Sequence, residues 1–192
     1  AVKELERTGA FDREVLVVAT ATGTGWIDPD AAEALEMIHQ GNTAIVSMQY
    51  SFLPSWISFI TDLHLAKEAG AALFDAVHEK WASLPADERP KLLSFGLSLG
   101  SFGAEAAFSG ADGRTSLANM VARTDGAMFV GAANANPILQ QLTNGRDEGS
   151  PAWEPVFDGG KVVRFTTRDP KRPLDATGWK DPRVVYIQHP SD

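Results

Sequence analysis

Short apolar runs alternate along the chain with longer segments of helical periodicity. These runs carry few charges, which is typical of parallel strands that are buried on both faces. The clearest of them are residues 14–20, 43–49, 126–132 and 183–188. Apolar residues recur at three- and four-residue spacing over residues 55–81, which predicts an amphipathic helix there. This alternation predicts an α/β fold of three layers, with helices on both faces of a mostly parallel sheet.

A second helix is predicted from its end signals rather than from its apolar pattern. Asp28 is a candidate N-cap, Pro29 suits the first helical position, and Gly41 is suited to termination, so we expect a helix over residues 29–40. The remaining segments are less regular. In these segments we expect a polar lead-in at residues 1–13, a helix at 116–123, a long irregular loop at 134–160, a further strand at 161–167 and a proline-rich connection at 169–182.

Residues 91–108 (KLLSFGLSLGSFGAEAAF) carry the strongest chemical signal of the sequence. An apolar strand leads into Gly96-Leu97-Ser98-Leu99-Gly100, and a helix of small residues follows, which is the G-x-S-x-G pattern of a nucleophile elbow in its strand–turn–helix context. Glycines two residues on either side relieve crowding at the strained turn because they lack a Cβ. We therefore predict Ser98 as a nucleophile, with the Leu99 backbone N–H at the start of the helix as an oxyanion donor.

Composition and charge limit the partners and the kinds of site that we expect. The chain has 192 residues, a formal net charge of −8 and no cysteine. We expect one domain over residues 1–192, no nucleic-acid partner because no basic cluster exists, and neither a thiol nucleophile nor a cysteine metal site. No histidine and carboxylate cluster has metal-ligand spacing, so we expect neither a metal nor a cofactor. No segment approaches the length of a membrane span, and the polar start does not resemble a signal peptide.

The turn at residues 20–26 is rich in glycine and directly follows a strand. Since functional groups collect beyond the carboxyl ends of parallel strands, the backbone N–H of Thr22 or Gly23 is the candidate second donor of an oxyanion hole. A phosphate cradle is a weaker interpretation, because the full glycine pattern and the P-loop lysine are absent. An ordinary strand-to-helix turn is the third interpretation.

A serine nucleophile needs a base and an acid, which in this fold follow the serine in the order acid, then histidine. Two ways of counting strands are open. In the first, residues 126–132 and 183–188 are the two strands after the elbow strand, Asp192 is the acid, and the base lies beyond residue 192. In the second, residues 161–167 form a core strand as well, Asp169 is the acid, and His189 is the base. We favour the first because residues 183–188 form the better strand.

Other polar and aromatic residues carry weaker signals. His39, His64 and His78 lie in predicted helices, and none follows a strand late in the chain, so we expect structural or surface roles for them. Residues 50–60 (YSFLPSWISFI) are unusually aromatic. Core packing at a helix entry is the favoured interpretation, and an apolar wall for an acyl chain or a membrane-contacting patch is the alternative.

The sequence resembles the alpha/beta-hydrolase family of predicted bacterial membrane-associated esterases, common in actinobacteria, over essentially its whole length. The matching stretches are ELERTGAFDREVLVV, ATGTGWIDP, YSFLPSWISFI, FGLSLGSFG, DGAMFVGAANANP, EPVFDGGKVVRF and RVVYIQHPSD. The resemblance implies Ser98 as nucleophile and suggests Asp192 as acid. It also implies a transmembrane region before the catalytic domain, and a stretch after Asp192 that holds the histidine and the last strand of the sheet.

These observations predict a serine esterase or lipase-like hydrolase that acts on a small-molecule or lipid ester. In that mechanism Ser98 attacks the carbonyl, a histidine takes its proton, and Asp192 orients the histidine. An acyltransferase that uses the same acyl-enzyme is one alternative. A hydrolase-fold interaction domain without catalytic activity is the other. By resemblance, the full-length protein is expected at a membrane through a tether outside this chain, and the chain itself is expected to be soluble.

Overall fold

The computed structural model describes residues 1–54, 57, 61, 63–167, 174 and 177–189. Its strands are β1 Val15–Thr20, β2 Thr43–Val46, β3 Lys91–Leu97, β4 Gly126–Val130, β5 Val163–Thr166 and β6 Arg183–Ile187. Its α-helices are α1 Val2–Arg7, α2 Pro29–Ile38, α3 Leu63–Ser83, α4 Leu99–Ala106, α5 Gly113–Arg123 and α6 Pro137–Asn144. Two 3₁₀ turns lie at Ala10–Asp12 and Asp158–Gly160.

The described strands form one six-stranded sheet in the order β2-β1-β3-β4-β6-β5, and every pairing is parallel. The connection from β1 to β2 runs in one direction across the sheet, whereas those from β2 to β3 and from β3 to β4 run in the other. Because parallel crossovers are right-handed, connections of opposite direction cover opposite faces. The direction reverses between β1 and β3, so the carboxyl ends of these two strands border a crevice.

Alternate residues of the strands supply two separate apolar layers. Leu16 and Val18 of β1 belong to the large core on one face, together with side chains from α1, α3, α4, α5 and α6. Val17 and Ala19 belong to a smaller layer on the other face, where Leu35 of α2 packs. All six residues of β1 are buried, as the uninterrupted apolar run predicted. The sheet therefore has helices on both faces, but far fewer on the α2 face.

The predicted strands at 14–20, 43–49, 126–132 and 183–188, the further strand at 161–167 and the helix at 29–40 are confirmed, each with its ends within a few residues of the prediction. The helix predicted over residues 55–81 is described from Leu63 to Ser83, and part of its start lies outside the described residues. Two expectations were wrong. The lead-in forms α1 and a 3₁₀ turn that bury Leu5 and Phe11, and the long loop contains α6.

Helices α3 and α4 approach each other closely at two glycines. A Cβ on Gly103 would lie 2.5 Å from the Ala66 carbonyl oxygen, and a Cβ on Gly70 would fall on the Gly103 carbonyl. Only glycine permits this separation of the two backbones. The elbow helix is thereby held tightly between α3 and the sheet. Among the described residues, no helix has the length and apolar character needed to cross a bilayer.

We expect Asp28→Ala to lower the free energy of unfolding by about 1 kcal/mol. The Asp28 carboxylate accepts a hydrogen bond from the Ala31 backbone N–H at 3.0 Å and so caps α2. Urea unfolding followed by circular dichroism measures the effect. Glu33→Ala, an exposed position within the same helix, is the control and should change stability by less than about 0.5 kcal/mol. Equal effects of the two substitutions would contradict the capping role.

Candidate active site

Ser98 lies at the sharp turn between β3 and α4, in a backbone conformation that L residues rarely adopt. Its φ is 53° and its ψ is −122°, and its side chain is exposed. The Ser98 N–H donates to the Val130 carbonyl at 2.8 Å, and the Ser98 carbonyl accepts from the Ser101 N–H at 2.9 Å. These bonds hold the strained peptide in place. The serine predicted from the pattern is thus presented to solvent at the carboxyl edge of the sheet.

Both glycines of the G-x-S-x-G pattern are sterically required in this structure. A Cβ on Gly96 would lie 2.5 Å from the Ser101 Cα, so the strand could not turn into α4 at this point. A Cβ on Gly100 would overlap the Thr20 carbonyl oxygen. The second glycine therefore allows the first turn of α4 to pack directly on the carboxyl end of β1.

This packing brings the turn after β1 next to the elbow, at the crevice where the strand order reverses. Thr22 is buried in that turn, and its N–H donates to the Trp26 carbonyl at 3.1 Å. The Thr22 amide would have to leave this bond to bind an oxyanion. Gly23 is buried in the same turn. Leu99 is the first residue of α4, so its N–H has no acceptor within the helix.

In the sheet, β6 is the second neighbour of β3, the strand that leads into the elbow. β4 lies beside β3, β6 lies beside β4, and β5 is at the outer edge. The spatial order therefore agrees with the first way of counting strands, and the existence of β5 agrees with the second. His189 is exposed two residues beyond β6, at the same edge of the sheet as Ser98. Asp169 and Asp192 lie outside the described residues.

Gln188 fixes the chain where it leaves β6. Its side-chain Nε2 donates to the Ala132 carbonyl at 2.9 Å, and its Oε1 accepts from the Ala132 N–H at 3.1 Å. Its backbone N–H donates to the Thr166 carbonyl at 2.8 Å. The ends of β4, β5 and β6 are therefore tied together just before His189.

Comparisons with known proteins agree with the fold described above. A model of the alpha/beta-hydrolase family matches residues 1–192. The chain belongs to this family. No curated protein sequence matches this alpha/beta-hydrolase significantly.

Solved structures with the same fold include two of acetyl xylan esterase. A structure of an iodinated complex of that enzyme has a TM-score of 0.51 at 14% identity, and the match covers 94% of this chain and 84% of the other. A second acetylxylan esterase structure has a TM-score of 0.50 at 12% identity and covers 91% and 81%. At such identities the likeness establishes the fold alone.

The remaining histidines of this alpha/beta-hydrolase lie near the amino end of β1 or on α3. His39 contacts the Glu14 carboxylate at 3.2 Å, next to the amino end of β1. His78 stacks on Phe74, and burial lowers the pKa of His78. His64 is exposed on α3. These placements agree with the structural and surface roles predicted from the sequence.

Tyr50 lies behind the elbow and belongs to its packing. Its ring contacts the apolar cluster formed by Ala66, Leu99 and Phe102. Its hydroxyl is buried without a hydrogen-bond partner among the described residues, and burial raises the pKa of Tyr50 to about 12. The aromatic segment therefore contributes packing at Tyr50, whereas Phe52, two residues later, is 84% exposed.

A network of buried polar side chains lies directly beneath the elbow. The Ser101 hydroxyl donates to the Ser98 carbonyl at 2.6 Å, and the Asn136 Nδ2 lies 3.3 Å from the Ser101 Oγ as a donor. The same Nδ2 donates to the Glu105 Oε1 at 3.1 Å, and the Ile138 N–H donates to the Glu105 Oε2 at 3.2 Å. The carboxyl of Glu105 is thus the innermost member of a chain of hydrogen bonds that ends at the peptide of Ser98.

Burial controls the ionisation of Glu105. Desolvation raises the pKa of this carboxyl to about 7, against the opposing effect of the hydrogen bonds from Asn136 and Ile138. The Tyr186 hydroxyl lies beside the carboxyl and lowers its pKa, although it makes no hydrogen bond of ordinary geometry with any described residue. In turn, burial and the neighbouring carboxyl raise the pKa of Tyr186 well above its usual value.

Sequence reasoning missed Ser101, Glu105, Asn136 and Gln188. One signal was available for Glu105, which is the single charged residue within the small and apolar helix that follows the elbow. Asn136 is fully buried in the segment that was predicted to be an irregular loop. No periodicity marks such a residue, because its partners come from other elements.

A large apolar hollow lies apart from Ser98. Its volume is about 460 Å³, and it lies between α2 and the sheet. Side chains of five strands and of α2 line it, including Val17, Leu35, Phe95, Met128 and Val185. Neither Ser98 nor Leu99 is among the lining residues. The hollow reflects the sparse helical cover on the α2 face, and we do not assign the substrate to it.

We expect Gly100→Ala to lower the free energy of unfolding by at least about 2 kcal/mol, because a backbone oxygen of β1 occupies the space that the methyl group needs. Gly113→Ala is the matched control, since its Cβ would lie 3.1 Å from the Gln141 carbonyl carbon and a small shift relieves the contact. Chemical denaturation measures both variants. A mild effect at Gly100 would mean that α4 does not pack on β1 as described.

The ionisation of Glu105 also predicts a dependence of stability on pH. Since its pKa is raised from 4.5 to about 7 on folding, the native state retains a proton that the unfolded state has lost between these values. This contribution to stability is therefore present at low pH and is lost as the pH rises to about 7, by roughly 3 kcal/mol in total.

Unfolding free energies of wild type and Glu105→Gln, measured from pH 4.5 to 8, test this prediction. The difference should shift in favour of the glutamine variant as the pH rises. Ser116→Ala is the control, because it removes a buried hydroxyl that donates to Gln141 but no titratable group. Its effect should be the same at every pH. A constant difference between wild type and Glu105→Gln would show that Glu105 does not titrate in this range.

Proposed function

We propose that this alpha/beta-hydrolase is a serine hydrolase that cleaves carboxylic esters through an acyl-enzyme on Ser98. The observation that supports this most strongly is the exposed hydroxyl of Ser98 on a strained turn, where φ is 53°. Strained backbone persists where the surrounding structure enforces it, and such positions concentrate at active sites. Here two glycines and the bond to Val130 enforce it.

The reaction follows from the groups around that hydroxyl. Ser98 Oγ attacks the ester carbonyl carbon and passes its proton to a histidine, and the carbonyl oxygen becomes an oxyanion. The Leu99 N–H and a second N–H, from Thr22 or Gly23, stabilise that charge. The alcohol leaves with the proton from the histidine. Water then attacks the acyl-enzyme with the same histidine as base, which releases the acid and restores Ser98.

Asp192 is proposed as the acid that orients the histidine, and the histidine itself is assigned to the polypeptide beyond residue 192. The position of β6 two strands from β3 supports this choice, because β6 ends at the same edge of the sheet as Ser98 and Asp192 follows β6 in the chain. The alternative pair is His189 as base with Asp169 as acid. Asp169 follows β5, one strand further from the elbow.

An acyl or lipid ester is the proposed substrate. Trp26 and Phe52 follow β1 and β2 at the carboxyl edge of the sheet, and they are 47% and 84% exposed. Exposed aromatic rings at the edge of the sheet that carries Ser98 suit an apolar acyl group. Acetyl xylan esterases share the fold, which agrees with ester cleavage without indicating the substrate. We further infer a bacterial membrane-associated protein, with its tether outside this chain.

A fluorophosphonate probe should label the full-length protein at Ser98, because an activated serine displaces its fluoride and becomes irreversibly phosphonylated. Peptide mapping by mass spectrometry identifies the labelled residue. Ser98→Ala should abolish both labelling and hydrolysis of p-nitrophenyl esters. Ser109→Ala, at an exposed serine beyond α4, is the matched control and should label like wild type.

Two outcomes would contradict the proposal. Equal labelling of wild type and Ser98→Ala would exclude Ser98 as nucleophile. No labelling and no ester turnover in the folded full-length protein would favour the non-catalytic interaction domain. Product analysis with added alcohol or sugar acceptors separates hydrolysis from acyl transfer, since transfer gives a new ester rather than the free acid.

A further inference from the structure

The strained peptide of Ser98 is supported from the protein interior and not only by its neighbours in the turn. Its carbonyl accepts two hydrogen bonds from Ser101, one from the N–H and one from the hydroxyl. The hydroxyl is the outer end of the buried network that runs through Asn136 to Glu105. The orientation of the nucleophile's peptide therefore depends on groups that never meet the substrate.

Glu105 also fixes the segment that approaches the elbow from β4. Asn136 is the N-cap residue of α6, yet its side chain does not cap that helix. The Glu105 carboxylate does so instead, since it accepts the Ile138 N–H in the first turn of α6. A negative charge at this position is favoured by the partial positive charge of the helix N-terminus. One carboxyl thus joins α4, which carries the elbow, to α6.

The hydrogen-bond donors around Glu105 favour its ionised form, whereas burial opposes ionisation. Both carboxylate oxygens face hydrogen-bond donors, namely the Asn136 amide and the Ile138 N–H. The Leu139 N–H of α6 and the Tyr186 hydroxyl of β6 also face the carboxyl, and Tyr186 is neutral because its pKa is raised well above the usual value. Protonation turns one carboxylate oxygen into a hydroxyl, which is a weaker acceptor, so the hydrogen bond from one of the two donors weakens.

Resting on the proposed function, we propose that Glu105 is a positioning residue: its buried carboxylate, acting through Asn136 and Ser101, holds the Ser98 peptide in the conformation that presents the hydroxyl to the substrate. The carboxylate itself does not touch the ester. Its removal misplaces the serine relative to the oxyanion donors. Misplacement by a fraction of an ångström is enough to slow acylation, since reacting atoms must meet in near-attack geometry.

This arrangement makes the orientation of Ser98 depend on pH. Burial raises the pKa of Glu105 to about 7, so the carboxyl is protonated in mildly acidic solution and ionised above neutrality. The ionised form, which organises the elbow, is the form that folding disfavours. Support for the nucleophile therefore increases with pH while the contribution of Glu105 to stability decreases.

The rate of fluorophosphonate labelling in the full-length protein, measured from pH 5 to 9, tests the proposal. Glu105→Gln should label about 10-fold more slowly than wild type above pH 8, and the two rates should converge below pH 6, where wild type is protonated. The ratio of the rates cancels the titration of the histidine base, which both proteins share. Ser116→Ala loosens the contact between α5 and α6 at Gln141 and should leave the ratio near one at every pH.

Ser101→Ala provides a second variant that retains Glu105. It removes the hydroxyl between Asn136 and the Ser98 carbonyl, so labelling should again slow by about 10-fold. Because both substitutions interrupt the same chain, the double variant should label no more slowly than the slower single variant. Multiplied effects would show that the two residues act independently, which would overturn the proposal.

A measurement that does not require catalytic activity tests the hydrogen-bond network of Glu105, Asn136 and Ser101 separately from the proposed function. In wild type the ¹⁵N–¹H signals of Ser101 and of the Asn136 side-chain amide should shift with a midpoint near pH 7, and in Glu105→Gln they should not. If these signals titrate but Ser98 is never labelled, the proposed function fails and the coupling stands. If Ser98 labels normally and Glu105→Gln matches wild type at all pH values, the positioning role is wrong.

Discussion

The structure depends on a backbone strain at Ser98 that close packing maintains. An L residue at φ 53° is unfavourable by itself, and it persists here because the chain on either side has no room to relax. Gly96 and Gly100 remove the side chains that would keep β3, α4 and β1 apart, and Gly70 and Gly103 do the same for α3. Four elements thus pack closely around the elbow and the helix that follows it. The geometry of the elbow is a property of the whole core rather than of five residues.

The handedness of the crossovers determines where this elbow lies. Because the strand order reverses between β1 and β3, the turn after β1 and the turn after β3 border one crevice. The same rule leaves α2 as the principal helix on its face, where a hollow of about 460 Å³ remains beneath it. The handedness of the crossovers therefore explains two features. It brings the turns after β1 and β3 together at the carboxyl edge of the sheet, and it leaves few helices on the face of the sheet where α2 lies.

Local patterns in the sequence predicted the helices and strands, whereas contacts between residues distant in the chain could not be predicted. The uninterrupted apolar run of β1 and the punctuation around α2 identify these elements because the information lies within a few neighbouring residues. Ser98 was predictable for the same reason. The order of β5 and β6 in the sheet was not, since nothing within either strand encodes its neighbour. Asn136 was likewise invisible, because it becomes functional only through contacts with α4.

Glu105 shows why such a residue is retained within an apolar helix. A buried carboxyl without a cationic partner costs stability when it is ionised, and replacement by an apolar side chain of similar size would often be neutral or stabilising. The benefit of the carboxylate is that it fixes the direction of two hydrogen bonds. A carboxylate binds two donors from a different element at once, which no hydrocarbon side chain can do. Precision at the Ser98 peptide and stability of the fold are therefore opposed at this one residue, and burial, which raises the pKa of Glu105, is the physical cause of that opposition.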